Sequence, residues 1–198
     1  SVAALRWFYD EPQGGYQKDF YEAIGLGDIM DKFPEKVLAA AEVQGTVTKE
    51  AAETLGLAEG TLVGEGLLDA CAAMVGINVV EPGGMAMIGG SSTPLFGLSP
   101  IEIHNEGING AYPNCVIRGT SLVEGGQVST GSIKTWFKNN FLPKEWEEEA
   151  KKRGVSVYTV IDEKAAEIPP GSEGLILLDY FQGNRTPYAD SLARGVIW

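Results

Sequence analysis

The chain has 198 residues, 44% of them hydrophobic, enough to bury a sizeable core in one or two domains. Its 27 acidic and 15 basic residues give a formal charge of −12, which argues against a nucleic-acid or anionic-membrane surface, since both need clustered Lys and Arg. No apolar run approaches the roughly 20 residues of a bilayer span, and neither a fixed-period repeat nor a low-complexity tract is found.

Ser1 to Tyr9, SVAALRWFY, has helical apolar spacing with no capping residue ahead of it, so the chain is expected to begin inside an element. After the EPQGG turn, KDFYEAIGLGDIMDKFP predicts a short amphipathic helix stopped at Gly25 and Gly27, then a second turn ended before Pro34. VTKEAAETLG predicts a helix with Thr48 as its cap and Gly56 as its stop.

An apolar run from Thr61, Leu62 and Val63 passes Gly64 and Gly66 and reaches Asp69 through Leu67 and Leu68, where an Ala-rich helix begins and continues to Gly76. Read as a buried strand, the run places the Asp69 carboxylate at a strand's carboxyl end, where open α/β sheets hold ligands. The plainer reading is that Asp69 simply caps the helix that follows, because Asp accepts hydrogen bonds from the amides of a first turn. Ala70, Cys71, Ala72 and Ala73 are small enough to admit another backbone, which suggests a hinge or a cleft. Cys71 and Cys115, the two cysteines, have no metal-ligand spacing and are expected as reduced thiols.

Beyond a VVEPGG turn, MAMIGGSSTPLFGLS predicts two strand pieces joined at Gly89, Gly90, Ser91, Ser92 and Thr93. Glycines followed by three hydroxyls can present amides and Oγ atoms to a phosphate, and the same composition also makes an ordinary hairpin turn. Residues 100 to 114 are read as a polar loop, with the sole histidine, His104, on its surface. A strand is expected through CVIRGTSLV to Glu124, after which Gly125, Gly126 and Gln127 lead into a helix, STGSIKTWFKNNF. A carboxylate and glycines thus meet a helix N-terminus, which can hold an anion; a glycine turn with a solvated Glu124 is the plainer alternative.

EWEEEAKKR, Glu145 to Arg153, predicts a solvated helix whose acidic start and basic end suit the macrodipole. After Pro169, Pro170 and Gly171, GLILLDYF is a continuous apolar run, the pattern of a strand covered on both faces. In the loop QGNRTPYADSLARG, Arg185 and Asp190 can pair with each other, or one of them can face a ligand. The chain is expected to stop, at Trp198, before its fold is finished.

GLLDACAAMVG, MAMIGGSSTPLFGLS, LVEGGQVSTGSIKTWF and GLILLDYFQGNRTPYADSLARG, in this order and spacing, resemble the FGGY carbohydrate kinases, and most closely their ribulokinase-like branch. The resemblance implies an α/β architecture of the actin-like ATPase, ribonuclease H-like kind, with two domains around a cleft. Only part of that fold is expected: residues 1–77 as the C-terminal part of the sugar-binding domain and residues 78–198 as the front of the nucleotide-binding domain. It further implies transfer of the ATP γ-phosphoryl group to a sugar hydroxyl, on a ketopentose such as ribulose or xylulose. ATP and Mg²⁺ would be the cofactors and small molecules the partners, in a cytoplasmic protein with neither nucleic acid nor membrane to bind; a homodimer is compatible with this.

By that resemblance Asp69 matches the catalytic base, a role that needs a carboxylate within hydrogen-bond reach of the sugar hydroxyl. Arg6, Asp69 and Glu124 match sugar contacts, Gly90, Ser91 and Ser92 the second phosphate loop, and Gly131 a nucleotide-contacting glycine; no residue is assigned to a metal. Ser91 stands where the family more often has Thr, Cys71 where His is frequent, and Arg6 where Lys is frequent, exchanging a point charge for a planar fork. The first phosphate motif and the adenine-holding glycine pair are not found, so the chain alone is expected to be inactive. The alternative function is a non-catalytic sugar-binding or assembly module that retains the actin-like core.

Overall fold

The computed structural model describes residues 2–198, which form two compact units. One takes in the chain through Ile88 together with Pro94–Gly125, and the other takes in Gly89–Thr93 with Gly126–Trp198.

The first unit opens with helix α1 (Val2–Trp7), a two-residue ribbon of β1 (Tyr9–Asp10) and β2 (Gly15–Tyr16), helix α2 (Lys18–Ala23) and a 3₁₀ turn over Gly27–Lys32. An aromatic cluster ties these pieces together: Tyr16 and Phe33 stack with ring centroids 4.1 Å apart, and the Tyr21 hydroxyl donates to the Trp7 carbonyl at 2.6 Å. A hairpin of β3 (Val43–Thr46) and β4 (Leu62–Gly64) encloses helix α3 (Lys49–Leu55). α3 has the expected ends: the Thr48 hydroxyl accepts the Ala51 N–H, and Gly56 closes it in the left-handed conformation.

The core of this unit lies between helix α4 (Asp69–Gly76) and a sheet of four strands, β5 (Met85–Met87), β6 (Thr93–Ser99), β7 (Gly110–Pro113) and β8 (Ser121–Gln127), in the order β5-β6-β8-β7. β5 and β6 pair antiparallel with Ala86 opposite Phe96, while β7 and β8 pair antiparallel with Tyr112 opposite Leu122 and Gly110 opposite Glu124. α4 turns Cys71 and Met74 inward, three residues apart on one face, onto Ala86, Phe96, Leu98, Val116 and Leu122. Ala72 and Ala73 face away and are exposed, so their small size serves no close approach among the described residues.

Three expectations need correction. The run ahead of Asp69 is strand only at Leu62–Gly64, and all three residues are exposed; Leu67 and Leu68 pack on the core outside any ladder. CVIRGTSLV is not continuous strand either. Cys115 to Thr120 form a turn, made possible by Asn114 and Gly119 at positive φ and closed by the Gly119 N–H on Asn114 Oδ1 at 2.9 Å. That turn folds β7 back on β8, so a strand occupies part of the segment read as a polar loop. Finally, GLILLDYF is strand only at β9 (Leu177–Leu178), pairs only with β10 (Val196–Ile197) among the described residues, and is exposed, not covered on both faces.

In the second unit, helix α5 (Gly131–Phe141) is followed by two helices packed on each other, α6 (Lys144–Arg153) and α7 (Val157–Ala166), the last with no counterpart in the sequence reading. Gly154 in the left-handed conformation ends α6, and the Ser156 hydroxyl caps α7. The Arg153 guanidinium donates to both Glu163 oxygens at 2.6 Å and to Glu149 at 2.8 Å. The hairpin tip Gly89–Thr93 is clasped to the start of α5: the Gly131 N–H donates to the Gly90 carbonyl at 3.1 Å and the Thr130 N–H to the Ser91 carbonyl at 2.9 Å.

A Cβ on Gly131 would stand 2.5 Å from the Gly90 carbonyl oxygen, backbone against backbone. Gly131→Ala should therefore open the clasp and destabilise the fold by about 1–3 kcal/mol, the usual cost of overpacking, read as a lowered denaturant midpoint. A midpoint unchanged in this variant would show that the clasp is soft.

Hydrogen bonding to Arg153, then the guanidinium charge, holds the Glu163 carboxyl below its ordinary value of 4.5. Its contribution to stability is thus whole above about pH 4.5 and is lost as the pH falls through the lower folded value. The Tm gap between the parent and Glu163→Gln should be present at neutral pH and close on acidification, and a gap that persists in acid would exclude the charge as its source.

Candidate functional site

Within the first unit, Glu124 is the buried member of the expected sugar set. β8 sends Leu122 and Glu124 to the same face, and both are buried, Leu122 completely. A carboxylate taken out of water needs donors, and one of them is the Tyr112 hydroxyl, 3.4 Å from Glu124 Oε2. The cross-strand partner of Glu124 is Gly110, two residues before Tyr112 on the same face of β7. A Cβ at Gly110 would collide with the Tyr112 hydroxyl and ring, so the missing side chain is the slot through which the phenol leans toward Glu124. Burial, then the Glu124 charge, pushes the Tyr112 hydroxyl up to about 12.

The two thiols share this neighbourhood. Cys71 and Cys115 are both buried and free and belong to the same core cluster as Leu122, with the Cys71 thiol held below and the Cys115 thiol above the ordinary value, each chiefly by the other. Arg6, near the end of α1, is exposed, and its guanidinium donates to the Leu5 carbonyl at 3.4 Å. Asp69 is the first residue of α4, with Leu68 at the cap position; it is exposed, and Oδ1 accepts the Ala70 N–H at 2.7 Å. Oδ2 has no protein partner among the described residues.

In the second unit, the expected phosphate loop is a hairpin tip whose carbonyls point into the clasp. The Gly90 oxygen takes the Gly131 N–H and the Thr130 hydroxyl, and the Ser91 oxygen takes the Thr130 N–H and the Ser132 hydroxyl. The amides and hydroxyls of Ser91 and Ser92 have no protein partner among the described residues. Donors turned outward and acceptors turned inward are what an anion requires. The start of α5 differs from expectation, because the Gly131 and Ser132 amides are already bonded to the hairpin and are not open to an anion.

The sequence reading missed Tyr112 and Cys115 as neighbours of the site. The available signal was GAYP, a short run with an aromatic residue ahead of the Asn114–Gly119 turn, whose pairing with LVE brings Tyr112 beside Glu124. His104 is exposed and bonded to Glu102 at 3.1 Å, a surface residue as expected. The Asp190 carboxylate accepts the Leu192 N–H at 2.8 Å within its own loop. A cavity of about 550 Å³ in the first unit, lined by Trp7, Tyr16, Lys32, Phe33 and Glu65 among others, includes none of Arg6, Asp69 and Glu124. Among the described residues no three His, Cys, Asp or Glu side chains gather as a metal site, and no helix is long and apolar enough to cross a membrane.

The ribulokinase of Anoxybacillus flavithermus is 36% identical over 93% of the chain, and that of Shouchella clausii is 35% identical over 92%. These alignments take in 34% and 33% of those proteins, so the chain spans about a third of the length of the curated relatives it matches. Among solved structures, the xylulose kinase from Rhodospirillum rubrum superposes with a TM-score of 0.66 at 25% identity, over 89% of this chain and 33% of that one. A Brucella ovis enzyme described as a xyloylose kinase gives 0.69 at 22% identity, over 92% of this chain and 34% of that one, a likeness of fold alone. The architecture is accordingly part of the actin-like ATPase fold of the FGGY sugar kinases. The C-terminal domain of the FGGY carbohydrate kinases matches residues 84–198, from the start of the β5–β6 hairpin to the last residue. With a match of that extent, and ribulokinases alike over nine tenths of the sequence, this chain belongs to the FGGY family of carbohydrate kinases.

Proposed function

We propose that the parent of this chain transfers the γ-phosphoryl group of ATP to a hydroxyl of a ketopentose such as ribulose or xylulose. The observation that carries the reading is the likeness to ribulokinases, 35% to 36% identity over 92% to 93% of the chain. In this reading residues 1–77 end a sugar-binding domain and residues 78–198 begin a nucleotide-binding domain. In the same reading the parent is a cytoplasmic enzyme of small molecules, with neither nucleic acid nor membrane to bind, as the charge of −12 supports, and a homodimer is compatible with this chemistry.

Phosphoryl transfer leaves little covalent work to the protein, so its residues act by positioning and by charge. Asp69 is the base: Oδ1 is fixed by the Ala70 N–H, and Oδ2 is open to accept the proton of the attacking hydroxyl. Glu124, steadied by Tyr112, accepts a hydrogen bond from the sugar, and Arg6 offers it a planar, two-pronged donor. Ser91 and Ser92 bring outward amides and hydroxyls to the nucleotide phosphates, while Gly131 lets the hairpin seat close to α5. Mg²⁺ usually keeps several waters and takes only one or two carboxylates besides phosphate oxygens. Asp69, exposed and bonded through Oδ1 alone, is the carboxylate that would meet such an ion. When bound, the ion would neutralise charge developing on the phosphates.

The test is coupled ADP release by the intact reading frame with a panel of ketopentoses and polyols. Asp69→Asn should lower kcat by roughly 10²- to 10⁴-fold with little change in sugar KM; normal turnover would remove Asp69 from the chemistry. Tyr112→Phe should raise sugar KM about tenfold, equivalent to about 1.4 kcal/mol, with kcat nearly unchanged. Equal KM values in the two proteins would detach Tyr112 from substrate binding. Calorimetric sugar binding with no turnover on any substrate would favour the non-catalytic module.

A further inference from the structure

Three segments of the first unit each carry part of the proposed sugar site, and side chains that the transfer does not use tie the three together. Arg6 stands near the end of α1, and β1 leads from there directly to Glu11. Tyr112 and Glu124 stand on β7 and β8, which are joined by the turn containing Asn114 and Arg118. Asp69 lies four residues after Glu65, whose main chain bonds to that of Ala41 and Glu42 at 2.9 and 2.8 Å.

From the turn, two side chains reach both of the other segments. The Arg118 guanidinium donates to Glu42 Oε1 at 2.9 Å and lies 3.9 Å from Glu11 Oε1. Asn114 Nδ2 donates to Glu11 Oε2 at 3.0 Å, while its Oδ1 takes the Gly119 N–H that closes the turn. Glu42 places its second oxygen on the Ala39 N–H at 3.0 Å. Both oxygens of each carboxylate are thus engaged, across 103 residues of sequence at Glu11 and 76 at Glu42. α1 also packs on β7, so this contact and the clamp together set the helix carrying Arg6 against the strand carrying Tyr112.

Arg118 is 61% exposed, and a single ion pair in that setting adds little to stability. A network spanning three segments can still restrain where they stand, and a displacement of about 1 Å at a binding group is enough to change turnover substantially. We infer that Arg118 is a positioning residue for the sugar: with Asn114, Glu11 and Glu42 it holds the segments bearing Arg6, Asp69 and Glu124 in the arrangement that meets one substrate. It acts through those residues and does not touch the substrate itself. The role rests on the kinase reaction proposed above.

Steady-state kinetics of the full parent protein, with sugar and ATP varied in turn, test the inference. Arg118→Ala should lower kcat/KM for the sugar about tenfold and leave the ATP KM unchanged. Glu42→Gln should reproduce part of that loss and add little to it in the double variant, because either change opens the same contact. Arg118→Lys, which keeps the charge, should recover part of it, and these two milder variants decide the matter if Arg118→Ala folds poorly. Arg153→Ala is the control, since it removes a comparable ion triad with Glu149 and Glu163 elsewhere in the chain and should leave kcat/KM for the sugar as in the parent. An unchanged sugar kcat/KM in Arg118→Ala and Glu42→Gln would overturn the inference. So would an equal loss in Arg153→Ala, or a loss shared by the sugar and ATP constants, since either reports general loosening. A parent inactive on every sugar would defeat the function proposed above instead. Calorimetric sugar binding would then decide the positioning role, with about tenfold weaker binding expected in Arg118→Ala and equal affinity overturning it.

Discussion

Glu124 is a carboxylate that β8 carries indoors next to the fully buried Leu122, and much of the first unit's sheet can be understood as the means of tolerating it. Alternation along the strand leaves no choice: the face that buries Leu122 buries Glu124 as well. A buried acceptor without donors would cost far more than one hydrogen bond returns. The sheet answers with a tyrosine on the neighbouring strand and an empty place at Gly110 through which its ring can reach. Pairing, the tight turn at Asn114 and Gly119, and the slot are one solution to one electrostatic demand.

The second unit handles the opposite polarity. Its hairpin tip gives its carbonyl oxygens to the first amides of α5 and keeps the amides and hydroxyls of two serines outward. A glycine- and serine-rich turn in isolation would sample many arrangements of those dipoles. Fixing the acceptors against a helix start selects the one arrangement in which donors are presented together. The order of the tip is therefore a property of the helix as much as of the turn.

Much of this was legible from residue patterns. Thr48 and Gly56 bounded α3, Glu145 to Arg153 gave α6 nearly to the residue, and the Met85 to Ser99 stretch folded as the two strands its glycines divide. These are signals carried locally, by caps, charge order and turn residues. The misreadings share a different cause. Leu62–Gly64 and Leu175–Leu178 are apolar enough to suggest burial, but burial depends on what lies across from them, which no run of side chains states. β7 was hidden because a four-residue strand among polar neighbours is defined by its partner. The site was legible in part for the same reason: Asp69 and the Gly90 turn stand at element boundaries that can be read in order, whereas the place of Glu124 inside β8 and of Tyr112 beside it are products of long-range folding.

The obstruction at Gly131 comes from a main-chain oxygen, and every amino acid at position 90 would bring the same atom. No compensating replacement on the hairpin can make room, so the restriction cannot be relieved by paired drift at the two positions. A side chain at position 131 could be admitted only by moving the hairpin's main chain away from the start of α5.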